Sequence, residues 1–197
     1  MTVLLGSKAS PFVRRITMLL HSSPLDVETR YVNIFDAKER AEVYEHSPTG
    51  RIPVLLTDNG PIWDSLAITR HLLGESEQQI SPQEEQQLIL INEANDSAVC
   101  LFQLRKFEED PEWQGTLAAL HLQRIAAVLT HFAAPARLDG LKEWSATSQW
   151  LYCLLDWLDF REVLPWRKTA PLLEQVLETH RERPEVVATD PRVLTSS

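Results

Sequence analysis

The chain reads as a small mixed α/β domain followed by an all-helical one, and three observations predict this. Up to residue 74, short apolar runs alternate with helix-period stretches in the order β-α-β-α-β-β-α. Residues 75–80, Glu-Ser-Glu-Gln-Gln-Ile, form a polar bridge without apolar period. From Ser81 onward every periodic segment is helical. A chain of 197 residues can bury two small cores, and we place the units at residues 1–75 and 82–197.

Residues 2–5 form the first strand. Pro11–His21 is a helix with Phe12, Ile16, Leu19 and Leu20 on one face; Ser10 stands at its cap and Pro11 at the first helical position, where a missing N–H is no loss. Residues 27–32 are a second strand and residues 37–45 a polar helix. Val54-Leu55-Leu56 and Ile62-Trp63 read as a hairpin about Asp58-Asn59-Gly60-Pro61, and residues 64–73 close the unit as a helix with Gly74 at its C-cap. This order is the thioredoxin-like arrangement, with helices expected on both faces of the sheet. Ser81-Pro82-Gln83-Glu84 then supplies an N-cap, a first-position proline and a capping-box glutamate. Helices are predicted near 82–108, 112–133, 145–158, 169–180 and 184–189, broken at Asp110-Pro111, Pro135, Gly140, Pro165 and Pro184.

The net charge of −9 is uneven: −2 over residues 1–80 and −7 over residues 81–197. An acidic chain without a basic stripe argues against nucleic acid and anionic membrane as partners. An anionic small ligand would need local help from Lys8, Arg14, Arg15 and Arg51, all in the nearly neutral half. The N-terminus lacks the basic flank and length of a secretory signal, and Asp156 interrupts the longest apolar stretch of the second half. Cys100 and Cys153 form no CxxC, which points to a reduced cytoplasm.

Residues 47–68 carry most of the functional information. Pro53 precedes the strand-like Val54-Leu55-Leu56, and a proline cannot donate to a ladder. A cis Ile52–Pro53 bond would make a tight corner here. It would leave the N–H and C=O of Ile52 to pair with an extended, peptide-like ligand. Asp64-Ser65 then opens a helix, putting a carboxylate, a hydroxyl and backbone amides where the ammonium and carboxylate of an amino acid would dock. Ser10 admits two readings: a helix cap, or a hydroxyl that donates to a ligand thiolate whose pKa the helix dipole and Arg14 or Arg15 lower. Arg51 is either a solvated loop charge or the holder of a ligand carboxylate.

Other signals are weak. The six glycines never form GxGxxG or a P-loop, so nothing supports a nucleotide. The six histidines lack paired-ligand spacing, so no metal is expected. Trp144, Trp150 and Trp157 read as helix core, closed by Trp166, and the two cysteines as apolar fillers.

Together these residues resemble the cytosolic glutathione transferase superfamily, whose members join a thioredoxin-like domain to an all-helical one. Ser47-Pro48-Thr49-Gly50-Arg51-Ile52-Pro53-Val54-Leu55 is similar to the family's N-P-x-G-K-V-P-V-L, and Asp64-Ser65-Leu66-Ala67-Ile68 to its E-S-x-A-I. Lys8-Ala9-Ser10-Pro11-Phe12-Val13-Arg14-Arg15 resembles the catalytic stretch of bacterial members that use serine, and Leu155 to Arg161 a downstream stretch of the same group. The resemblance implies an enzyme with glutathione as co-substrate. Ser10 would activate the thiol, Ile52 with Pro53 would hold the cysteinyl backbone, Arg51 the glycyl carboxylate, and Asp64 and Ser65 the γ-glutamyl end.

The same resemblance implies a small electrophilic or hydrophobic acceptor between the domains, near Phe102 and Arg105. It also implies a homodimer with Asp96 near the partner's site. Three positions depart from the pattern: Asp64 is a methylene shorter than the family's Glu or Gln, Ser148 replaces a capping-box Asp, and His71 stands where Tyr is common. Branches that run thiol–disulfide exchange carry Cys where this chain has Ser10, which disfavours reductase chemistry. The alternative function is a non-catalytic binding or regulatory module on the same fold.

Overall fold

The structure, a computed structural model, describes residues 1–107 and 115–193; the expected break at Asp110-Pro111 lies outside them. Four strands make one sheet in the order β2-β1-β3-β4: β1 (Thr2–Gly6), β2 (Val27–Tyr31), β3 (Val54–Thr57) and β4 (Gly60–Trp63). β1 runs parallel to β2 and antiparallel to β3, and β3 and β4 form the antiparallel hairpin. Pro61 sits on the edge strand β4, where a missing donor is tolerated. Successive strand residues point to opposite faces, and Leu4 and Leu5, like Val54 and Leu55, are all fully buried. Both faces are therefore covered. The cover comes from α1 (Pro11–His21), α2 (Ala37–His46) and α3 (Ser65–Glu75), through Val13, Ile16, Val43, Ile68 and Leu72.

The α3 terminus departs from expectation. Gly74 lies inside its last turn; the C-cap is Ser76, and the left-handed residue is Glu77 at φ 57°. The Gln78 and Glu77 amides donate to the carbonyls of Leu73 and Gly74 at 2.8 and 3.0 Å, which makes the ending a Schellman motif without glycine.

The chain divides into two compact units, Met1–Ser81 together with Arg183–Ser197, and Pro82–Glu182. The helical domain expected from the sequence runs to residue 197, whereas residues from Arg183 onward group here with the first unit. α9 (Pro184–Ala188) packs on α1, and the buried Arg14 guanidinium donates to the Val186 carbonyl at 3.3 Å and to the Thr189 hydroxyl at 3.4 Å. Satisfying a buried cation needs such acceptors, so the last described turns are held to the first unit.

The second unit contains α4 (Pro82–Phe107), α5 (Thr116–Phe132), α6 (Pro135–Leu138), α7 (Ala146–Phe160) and α8 (Glu174–His180), with α5 and α7 both packed on α4. Pro135 starts the short α6 rather than only ending α5, and the helix predicted over 169–180 begins instead as a separate 3₁₀ turn, Pro171–Leu173. α7 is the core helix, with Trp150, Leu151, Leu154, Leu155 and Leu158 buried. Its start shows that serine can replace aspartate in the capping box. Ser145 Oγ accepts from the Ser148 amide at 3.2 Å, and Ser148 Oγ from the Ser145 amide at 2.8 Å. Its end is a second glycine-free Schellman motif, with Glu162 at φ 50°. In its last turn, Asp159 accepts from the fully buried Trp166 indole at 2.8 Å and pairs bidentately with Arg167 at 2.7 and 2.8 Å. Cys153 is buried as expected, whereas Cys100 is only half-buried. Among the described residues no single helix is long and apolar enough to cross a membrane.

Candidate functional site

The register of the sheet decides which loops meet. Leu5, Val54 and Trp63 lie in one row across β1, β3 and β4, and Gly6 pairs with Tyr31 at the end of β2. The chain leaving β1 toward Ser10, the chain entering β3 through Ile52–Pro53, and the chain leaving β4 through Asp64-Ser65 therefore gather at one end of the sheet. Segments far apart in sequence thus share one edge.

Each segment is shaped locally. Gly6 lets α1 come close: a Cβ there would fall 2.5 Å from Val13 Cγ1. A turn closes from the Ser10 amide to the Ser7 carbonyl at 3.0 Å, and Ser10 Oγ accepts from the Val13 amide at 3.3 Å as the cap of α1. Accepting that bond leaves the O–H hydrogen to donate elsewhere. On the β3 side, Gly50 closes a turn onto the Ser47 carbonyl at 3.0 Å, with φ +59°. The Ile52–Pro53 bond is cis. Ile52 precedes β3 and lies outside both ladders, and among the described residues its N–H and C=O have no backbone partner. An extended ligand would meet a donor and an acceptor on one residue. Arg51 is exposed beside it, while Ile52 and Pro53 are buried.

The Asp64 corner corrects one detail of the sequence reading. Asp64 holds φ 74° and caps α3 itself, with one oxygen accepting from the Leu66 amide at 2.8 Å and the Ala67 amide at 3.3 Å. Those two amides are spent on the protein's own carboxylate. What remains is the second Asp64 oxygen, and the buried Ser65 with its hydroxyl and first-turn N–H, which has no intrahelical acceptor. A non-glycine residue at positive φ costs about 1–3 kcal/mol and concentrates at functional sites.

The expected cationic helpers divide. Arg14 is turned to α9, as above, and Arg15 is buried with its guanidinium over the Phe12 ring at 4.7 Å. Neither is a surface charge beside Ser10. Lys8 is half-buried in the turn before Ser10, and its ammonium lies over the half-exposed Tyr31 ring at 4.9 Å, where partial desolvation raises the Tyr31 phenol pKa. Tyr31 went unnoticed in the sequence because only strand pairing puts it beside Gly6. Phe102 and Arg105 lie in the second unit. There the Phe102 ring meets Trp157 edge-on at 5.7 Å and the Arg161 guanidinium at 4.9 Å. Arg105 donates to the Glu162 and Arg161 carbonyls at 2.8 and 2.5 Å, capping the end of α7. Burial lowers the Arg161 pKa. Among the described residues no group of three or more metal-ligating side chains occurs.

Residues 9–74 match the sequence model of the glutathione S-transferase N-terminal domain. A structure of a glutathione transferase family member from Pseudomonas fluorescens Pf-5 with bound glutathione superposes with a TM-score of 0.83, covering 96% of this chain and 98% of that one at 22% identity. The chain has the glutathione transferase fold. A glutathione S-transferase from Methylobacillus flagellatus KT with glutathione bound has the same fold at a TM-score of 0.81, again at 22% identity over 96% of this chain and 98% of that one. In sequence, the uncharacterized GST-like protein YibF of Escherichia coli (strain K12) is 34% identical over 70 residues, 35% of this chain; the match spans about a third of YibF, 34% of its length. In the glutathione transferase fold of this chain, the matched N-terminal stretch contains Ser10, Arg51, Ile52, Pro53, Asp64 and Ser65.

Proposed function

We propose that this chain is a cytoplasmic glutathione transferase of the bacterial serine type, which binds glutathione at the sheet end and conjugates it to a small electrophile. The observation that carries the reading is the row Leu5–Val54–Trp63, which gathers Ser10, Ile52 and Asp64-Ser65 at one edge. Their chemistry matches a peptide with charged ends. The Ile52 N–H and C=O pair with the cysteinyl backbone as a short added strand. The second Asp64 oxygen takes the γ-glutamyl ammonium, the Ser65 hydroxyl and amide take its carboxylate, and Arg51 takes the glycyl carboxylate. Solved proteins of this fold with glutathione bound support the choice of ligand.

Catalysis then needs only a stabilised thiolate. The thiol loses its proton to solvent, the Ser10 O–H donates to the sulfur anion, and the dipole of α1 favours negative charge there. The sulfur attacks the electrophilic carbon; an S–C bond forms and the leaving group departs with its electron pair. Phe102 and Arg105 are proposed to border the acceptor. The working form is proposed to be a homodimer, which light scattering at about twice the 22.5 kDa chain mass would support.

The hydrogen bond that Ser10 already accepts from Val13 favours a second reading, a non-catalytic binding or regulatory module in which Ser10 is only a cap. Ser10→Ala separates the two. Under the transferase reading it leaves glutathione affinity nearly intact, raises the pH at which an aryl halide is conjugated and slows the reaction about 10- to 100-fold. An unchanged pH–rate profile returns Ser10 to the cap. Absence of glutathione protection at the Ile52 and Ser65 amides in hydrogen exchange, at millimolar ligand, removes the transferase reading.

A further inference from the structure

We infer that Lys8, pinned over the face of Tyr31, is the cationic residue that lowers the pKa of the bound thiol, the part that Arg14 and Arg15 cannot take. The inference rests on the glutathione reading above and deepens it. Lys8 lies inside the turn that the Ser10 amide closes onto the Ser7 carbonyl at 3.0 Å, two residues from the hydroxyl that would meet the thiolate. The same turn leads into α1, whose N-terminus adds its partial positive charge.

Three features suit Lys8 to this role. Its ammonium is held at 4.9 Å from the Tyr31 ring centroid, so its direction is set by a cation–π contact rather than left to a mobile chain. Among the described residues it makes no ion pair, so its charge is not cancelled. Tyr31, though half-exposed, stays a neutral phenol, because partial desolvation moves its pKa up rather than down.

Of the carboxylates on neighbouring elements, Asp36 caps α2, Glu39 accepts from the Asn33 amide at 2.7 Å, and the buried Glu185 on α9 pairs with Arg183 at 2.6 Å. Arg14 donates to Val186 and Thr189, Arg15 lies over Phe12, and Arg30 on β2 pairs with Glu42. Asp64 opposes the effect with negative charge, though one of its oxygens is bonded to the α3 amides, and Arg51 is assigned to the far carboxylate of the ligand. Lys8 remains as the cation of the turn itself. Because it acts through space and does not touch the reacting carbon, it is a positioning residue for charge.

The test is the ultraviolet absorbance of the bound thiolate against pH, with the pH profile of kcat/KM for an aryl halide, in the full chain. Lys8→Met should raise the bound thiol pKa by about half a pH unit and lower kcat/KM about threefold on the acid side, with glutathione affinity little changed. Lys8→Arg should restore the wild-type profile. Tyr31→Leu, which removes the platform, should behave like Lys8→Met, and Tyr31→Phe like wild type. A Lys8→Met profile that overlays wild type, in a protein that binds and conjugates glutathione normally, overturns this inference and leaves the transferase reading standing. A wild-type protein that binds no glutathione overturns both.

Discussion

The Tyr44 ring lies directly over the Cα of Gly50, so close that a Cβ at position 50 would fall 2.4 Å from Tyr44 Cζ. Gly50 also sits at φ +59°, closing the turn that delivers Arg51 and Ile52 to the sheet end. The left-handed φ is the constraint that demands glycine, because the exposed Tyr44 ring can swing aside. Gly50→Ala should destabilise the protein by about 1–2 kcal/mol through the left-handed backbone. In urea melts, adding Tyr44→Ala should change that loss little. A Gly50→Ala variant within about 0.5 kcal/mol of wild type would show that the turn yields freely.

Asp64 combines a cap, a positive φ and a proposed ligand contact, and two substitutions take them apart. Asp64→Ala and Asp64→Gly both lose the bonds to Leu66 and Ala67, at a cost of about 0.5–2 kcal/mol. Glycine relieves the φ of 74° and alanine does not, so Asp64→Gly should be the more stable by about 1 kcal/mol. Glutathione affinity, measured by calorimetry, should fall equally in both. Retained affinity in either would remove Asp64 from the ammonium site.

Glu162 should be improved by glycine. It is the left-handed residue after α7, and the bond it gives Arg105 comes from its backbone carbonyl, which survives substitution. Glu162→Gly should therefore raise stability by about 0.5–1 kcal/mol, read as a higher Tm. Glu77→Gly after α3 should do the same. A lower Tm in both would mean that the side chains, not the backbone, govern these helix ends.

Asp159 serves two partners of unequal weight. Asp159→Asn keeps an acceptor for the buried Trp166 indole and loses the exposed Arg167 pair, for about 0–1 kcal/mol. Asp159→Ala strands the indole N–H and should cost about 2–4 kcal/mol, with altered tryptophan fluorescence. Equal losses in the two variants would assign the energy to the ion pair instead.

The sequence by itself determined whatever depends on a few neighbouring residues. The strand and helix order, the Ser10-Pro11 helix start, the Asp64 cap, the Ser145 cap and the hairpin at Asp58 to Pro61 are all set by propensities and bonds that act within a turn or two. Only the tertiary structure decided who meets whom. Arg14 looked like a helper for a ligand anion, yet its acceptors at Val186 and Thr189 stand 172 and 175 residues away. The residues of the site were singled out one by one, but the row Leu5–Val54–Trp63 is what gathers their loops, and strand register is a property of the folded sheet. The end of α3 departs from the expected Gly74 cap for a related reason: Glu77, like Glu162 after α7, holds a left-handed position because the bonds back to Leu73 and Leu158 outweigh a cost that propensity alone assigns to glycine. Local preference is worth about 1 kcal/mol per residue, and burial of a cation or of an apolar face is worth more, so long-range packing wins wherever the two compete.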